Sequence, residues 1–382
     1  MGRLGGLYIH IPLCLSKCRY CDFVSYPAHC SDDMSDYINL LEQEISLIPQ
    51  DEKIHVDTIY IGGGTPSILP GVERIINIIY KYFNISAATE ITIEANPATL
   101  SMDKLSRYID AGINRLSLGV QSFIDTELEL LGRRHTAIEA HEAFDMARGA
   151  GFYNINIDLI YAFPNQSQKS WEYTLKEAVN LNPEHISAYS LILEKGTELF
   201  DLVGNNALTM PDCDFSADLY YFTNEYLESR GYTRYEVSNF AREGDECRHN
   251  INYWHNGEYI GLGCAAHSHI GYRRIENQSD LTAYRNNILS GQRPVANIIE
   301  NKLEDEMFET LMMGFRLTKG VDIAGFEHKF GINIFDAYSQ AIKININNGL
   351  IAEKDGFLKL TPHGYDIMNS VLLDFINFHK NS

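Results

Sequence analysis

The sequence contains no uninterrupted apolar run approaching the roughly 18 residues that a membrane span requires, which excludes a transmembrane helix. Ahead of the first cysteines it also lacks the apolar region and small-residue cleavage site of a secretory signal, so the expected compartment is the cytoplasm. Basic residues are scarce. Thirty-one Lys plus Arg stand against 51 Asp plus Glu, a formal net charge of −20, which opposes binding to a phosphate backbone, and no nucleic acid partner is expected. There is no low-complexity segment and no second CxxC pair of the kind a structural zinc site recruits. Of the 7 cysteines, Cys14, Cys18 and Cys21 crowd together while Cys30, Cys213, Cys247 and Cys264 are scattered. That pattern points to metal ligation before a disulfide framework.

What is present is a βα rhythm. From Leu7 to Leu193, short apolar runs alternate with amphipathic stretches, as in repeated βα units around a parallel sheet. Six strands are predicted: Leu7 to Ile11, Thr58 to Ile61, Glu90 to Glu94, Arg115 to Val120, Asn154 to Ile160 and His185 to Leu191. Tyr37, Leu41, Ile45 and Ile48 share one helical face, as do Ile75, Ile78, Ile79 and Tyr82. Thr136 with Glu139 reads as a capping box, and Gly149 or Gly151 as the end of that helix. The 382 residues suit one large domain with smaller additions. The fold class is α/β, a partial (β/α)6 barrel over 1–200, followed by an extension over 201–300 and a helical, winged-helix-like domain over 301–382. A loop is expected over Leu193 to Asp212, helices over Asp214 to Ser229, Phe335 to Asn348 and Tyr365 to Phe378, and a turn at Lys354-Asp355-Gly356-Phe357.

Cys14, Cys18 and Cys21 have CxxxCxxC spacing directly after the first strand, where a tight loop can turn three thiolates inward. Three thiolates suit a [4Fe-4S] cubane with one iron left open; a zinc site or buried free thiols are the plainer readings. In a parallel βα architecture ligand groups gather at the carboxyl ends of strands, and Glu94, Gln121 and Asp158 stand at such ends. Each has a local role open to it: Glu94 as the cap of the next turn, Gln121 as a bridge between backbone groups, Asp158 as a partner of Arg115.

With the cysteine run and the loop Ile61-Gly62-Gly63-Gly64-Thr65-Pro66-Ser67, the chain resembles the radical S-adenosylmethionine (SAM) superfamily. Its strand-end residues match, in order, the coproporphyrinogen-dehydrogenase-like branch over nearly the whole length. The resemblance implies a radical SAM barrel in which SAM chelates the open iron and an electron from the cluster cleaves its sulfonium. It implies SAM contacts from Tyr8, Tyr20, Gly63, Gly64, Thr65, Glu94, Gln121, Arg133, Asp158 and Ile192. The guanidinium of Arg133 suits the SAM carboxylate, unless it is a solvated surface charge.

Two features separate members of that branch. The oxygen-independent coproporphyrinogen III dehydrogenase has a fourth cysteine one residue beyond the third, where this chain has Phe23, and a longer stretch before its cluster. Second, His249-Asn250-Ile251-Asn252-Tyr253-Trp254 resembles the HNxxYW motif of the heme chaperone family HemW, as do the segments Tyr235 to Phe240 and Gly261 to Ser268. That resemblance implies a protein that binds heme besides the cluster and SAM. It implies delivery of heme to acceptor hemoproteins, at the inner face of the membrane among other places, and a dimer at some stage. His249 would ligate the heme iron beside Asn250, Tyr253 and Trp254, with Cys247 as a second candidate. From the residues alone, His249 and Asn250 could equally satisfy buried backbone groups while Tyr253 and Trp254 fill a domain seam. A rival is the radical decarboxylase itself; another is an acidic regulator with a DNA-binding tail.

Overall fold

The computed structural model describes residues 3–28, 31–48 and 54–379; Cys30 lies outside them. Six parallel strands, β1 (Arg3–Ile11), β2 (His55–Gly63), β3 (Glu90–Ala95), β4 (Arg115–Gln121), β5 (Asn154–Tyr161) and β6 (His185–Ser190), lie side by side in chain order. Their apolar residues are buried because helices cover the sheet: Leu7, Ile9, Ile59, Ile61, Leu116, Ile155 and Ile157 share one core with Tyr37, Leu41, Ile45, Ile75 and Ile79. The capping box forms as read. Thr136 Oγ1 accepts from the Glu139 amide and the Glu139 carboxylate from the Thr136 amide, and Gly151 closes the helix at φ 108°.

The chain after β6 returns to both edges of this sheet. Tyr259–Leu262 runs parallel to β1 on its outer side and is followed outward by His267–Ile270, Arg273–Asn277 and Val295–Glu300, while Asn239–Ala241 pairs antiparallel with β6. The seventh parallel strand escaped the sequence reading because it is only four residues long and Gly261 interrupts its apolar run. The stretch Leu193 to Asp212 is not all loop either: Thr197 caps a helix, Glu198–Gly204, by accepting from the Phe200 amide at 3.2 Å.

Residues 303–379 gather around a second core built on Leu311, Phe315, Phe326, Ile334, Leu358 and Phe375. Helices pack against a three-stranded sheet in the order Val321–Asp322, Phe357–Leu360, Ile351–Lys354, the winged-helix-like arrangement. The hairpin turns at Asp355 and Gly356, both left-handed at φ 54° and 81°. Two expected helices are each broken in two. The first breaks at Tyr338 (φ −130°), whose ring is buried beside Phe326 and Phe375, and the second at Ile367 (φ −124°).

A buried polar cluster bolts the two cores together. Glu306, fully buried on Leu303–Gly314, receives Asn256 Nδ2 at 2.8 Å, His269 Nε2 at 3.1 Å and Lys329 Nζ at 3.2 Å. Arg274 extends it to Glu309 at 2.5 Å. Burial alone would raise the Glu306 pKa, but the His269 hydrogen bond and charge, with Asn301 and Lys329, outweigh it and hold the carboxyl at about 2 against an ordinary 4.5. Its stabilising contribution is therefore complete above pH 4.5 and disappears as the pH falls toward 2. Glu306→Ala should cost about 3 to 5 kcal/mol at neutral pH, the usual effect of orphaning a buried charge. Urea unfolding at pH 7 checks this, and the difference from the parent chain should shrink in acid.

Candidate functional site

A cavity of about 690 Å³ opens at the carboxyl ends of β2 to β6. Its wall is built first by the loop that follows β1. Leu13–Cys14 pairs with Tyr26–Pro27, the Ala28 amide donates to Cys14 O at 2.9 Å, and the Arg19 amide donates to Leu131 O at 3.1 Å. The loop carrying Cys14, Cys18 and Cys21 is thus fastened at both ends and in the middle, and all three thiols face the cavity. Burial raises the Cys14 and Cys21 thiols above their ordinary range. Among the described residues, no three His, Cys, Asp or Glu groups meet at the spacing of a single metal ion.

The second wall is the loop after β2. Gly64 and Thr65 donate their amides to Ile11 O (2.7 Å) and Leu13 O (2.9 Å), which lays the glycines against the cysteine loop. A Cβ on Gly64 would come within 2.9 Å of Cys14 Sγ, and one on Gly63, at φ 114°, within 2.6 Å of the His10 ring. Only glycine fits either position. Thr65 Oγ1 is 3.5 Å from Cys14 Sγ.

The strand ends supply the floor. Glu94 accepts from Tyr60 Oη at 2.9 Å and from the Gly63 amide at 3.1 Å; the cap of the next turn is Asn96, not Glu94. Burial and then the Asp158 charge push the Glu94 carboxyl up to about 7. Asp158 accepts from Ser117 Oγ (2.9 Å) and Asn156 Nδ2 (2.8 Å) and makes no ion pair with Arg115; burial raises it too. At Gln121 the β4–β5 register shifts and φ is +70°, a bulge that turns its side chain into the cavity. Arg133 is no surface charge. It donates to Gly119 O at 2.5 Å and to Cys18 Sγ at 3.4 Å, while its buried Nε has no partner. Burial opposes its charge, but Tyr20 and Cys18 outweigh that and raise its pKa.

Cys14, Cys18, Cys21, Tyr20, Gly63, Gly64, Thr65, Glu94, Gln121, Arg133, Asp158 and Ile192 therefore line one cavity. Tyr8 does not: its hydroxyl bonds His10 Nδ1 at 2.9 Å and its ring stacks behind Tyr60. Tyr60, Asn96, Ser117 and Tyr189 line the cavity too and were missed by the sequence reading; as a tyrosine inside a strand, Tyr60 carried no signal beyond β propensity.

The residues read as heme-facing are elsewhere. Helix Arg248–Trp254 lies toward the amino ends of β1 to β3, where Glu90 accepts the amides of Arg248 (3.1 Å) and His249 (3.0 Å). His249 is 1% exposed, with Nδ1 on Thr58 Oγ1 at 2.8 Å and Nε2 on Tyr253 Oη at 2.9 Å, so both ring nitrogens are engaged. Burial drops its pKa to about 3. Cys247 is fully buried beside Glu90. Asn250 is half-buried on the same helix, and Trp254 packs under the Arg316 guanidinium at 4.5 Å, in the seam with the C-terminal domain. In this arrangement His249 is bonded within the protein and Trp254 is packed against Arg316.

The cavity chemistry fits a cluster with an amino acid-like ligand: soft thiols at one end, an unsatisfied guanidinium nitrogen beside them and carboxylates beneath. The family model described as the radical SAM superfamily matches residues 8–178, and the one described as the HemN C-terminal domain matches 302–367. A heme chaperone HemW of Bacillus subtilis (strain 168) is 36% identical over 373 residues, covering 97% of this chain and 98% of that protein. The one from Escherichia coli (strain K12) is 35% identical over 379 residues, covering 97% of each. The crystallised coproporphyrinogen III oxidase (HemN) from Escherichia coli, described as a radical SAM enzyme, superposes with a TM-score of 0.84 at 25% identity, over 98% of this chain and 90% of that one.

The raised Glu94 pKa gives a stability test that needs no ligand. Because the folded state holds this proton more tightly than an ordinary carboxyl at 4.5, stability falls as the pH rises from 4.5 to 7. Glu94→Gln should therefore melt higher than the parent chain at pH 8, by on the order of 1 to 3 kcal/mol, and the gap should close near pH 5. Thermal melts at the two pH values decide it.

Proposed function

Because the chain belongs to the radical SAM superfamily and, within it, to the heme chaperone family named HemW, we propose that it takes up heme and delivers it to acceptor hemoproteins while carrying a [4Fe-4S] cluster and SAM. Cys14, Cys18 and Cys21 would hold the cluster, with SAM as its remaining ligand. When loaded, the cluster supplies one electron at low potential.

The chain's own groups bind and orient. The Arg133 guanidinium pairs with the SAM carboxylate, since its Nε has nothing else to bond. The glycine loop, held by Glu94 on the Gly63 amide, keeps backbone close to the ligand's amino group. Gln121 and Asp158 meet the nucleoside side from the floor.

The observation that carries the chaperone reading against the decarboxylase is Phe23. The decarboxylase branch has its fourth cysteine there; this chain has an aromatic ring that is 60% exposed on the cavity rim. The likeness to the crystallised coproporphyrinogen III oxidase keeps the decarboxylase as the second reading. The deciding experiment is anaerobic incubation of cluster-reconstituted protein with SAM, reductant and coproporphyrinogen III, beside heme transfer to an apo-hemoprotein. No porphyrinogen product with restored hemoprotein is the expected result; product formation would overturn the assignment. Cys18→Ala should lose the cluster absorption and, with it, heme transfer.

A further inference from the structure

We propose that Thr58 is a positioning residue for heme uptake: it holds the His249 ring in the one tautomer whose Nε2 carries a lone pair for the heme iron. The inference rests on the chaperone reading above and on the heme role that the HNxxYW resemblance implies for His249. It names the residue that prepares that ligand.

A count of hydrogens fixes the tautomer. Thr58 Oγ1 has two partners at 2.8 Å, the carbonyl oxygen of Gly5 and Nδ1 of His249. A hydroxyl has one hydrogen and a carbonyl only accepts, so the Thr58 proton lies toward Gly5 O. Toward His249 the hydroxyl oxygen must then accept, and Nδ1 carries the hydrogen. Burial, and after it the Arg115 charge, keep the ring neutral, so it has a single N–H and Nε2 is left with its lone pair. That lone pair accepts from Tyr253 Oη at 2.9 Å. A polar group that takes the second N–H is the support metal-ligating histidines receive, since it sets both the tautomer and the plane of the ring.

The neighbouring strands are shaped for this contact. Gly6 lies opposite Thr58 in the sheet, and a Cβ there would come within 3.0 Å of His249 Cε1. Tyr60, two residues along the same face of β2, stacks its ring on the imidazole at 5.2 Å. Glu90 fixes the backbone by accepting the His249 amide. These contacts hold the ring from the strand side, while Nε2 faces Tyr253, one turn on along its own helix. When the Tyr253 hydroxyl turns away, iron takes its place at Nε2 and the imidazole has no need to reorient.

The test uses the full chain, cluster-reconstituted and saturated with SAM, titrated with heme and followed by its Soret band. Thr58→Val, which keeps the side-chain shape and removes the hydroxyl, should weaken heme binding about tenfold or more. Thr58→Ser, which keeps the hydroxyl and removes the methyl group, should bind heme as the parent does; a role in packing alone would give the opposite order. Cluster absorption and SAM affinity should be retained in both, because Thr58 does not line the cavity. Nitrogen spectra of the isotope-labelled parent without heme, with His249→Gln to assign its signal among the 13 histidines, give the tautomer directly. A hydrogen on Nε2 would overturn the proposal, and that measurement stands even where Thr58→Val fails to fold. If the parent binds no heme, the chaperone reading falls and the proposal with it. If the parent and Thr58→Val bind heme equally well, only the positioning role of Thr58 is overturned.

Discussion

The register between β1 and β2 sets the rest of the site. Arg3 lies opposite His55 and Ile11 opposite Gly63, so the two strands end together and their loops emerge side by side. The Gly64 and Thr65 amides then reach the carbonyls of Ile11 and Leu13 without further adjustment. A slip of one residue would turn every side chain of one strand to the other face, burying polar groups in the apolar layer and parting the glycine loop from the thiols. The alternation that buries Leu7, Ile9 and Ile11 therefore also decides where Cys14 stands.

Much of this was legible in the sequence because it is local. Each parallel strand is a short run of β-formers, and the cysteine spacing and the glycine loop follow strand ends, so the cavity wall could be assembled without coordinates. Arg133, Gln121 and Asp158 were found by family likeness; the physical reasons for their places, a bulge at φ +70° and an orphaned Nε, are properties of the fold alone. What could not be read was long-range. Tyr259–Leu262 joins β1 from more than 240 residues away, which no local pattern announces. The surroundings of His249 are long-range too: Glu90 and Thr58, from two distant strands, hold it inside.

The two ends of the barrel are nonetheless joined. Tyr60 donates to Glu94 on the cavity floor and stacks at 5.2 Å on His249, which bonds Tyr253. One residue beyond, Trp254 meets Arg316 of the C-terminal domain. The radical SAM core thus reaches the appended domain through a short column of rings, beside the polar bolt around Glu306.

The fastening of the cysteine loop has its own effect on the life of the protein. With the backbone of residues 14 to 28 anchored by Arg19, Tyr26 and Ala28 to fixed neighbours, little chain entropy remains to be lost when the metal enters. In small zinc domains, metal arrival and folding are one event. Here the loop is fastened by backbone contacts that involve no metal, so its ordering does not wait on a cluster.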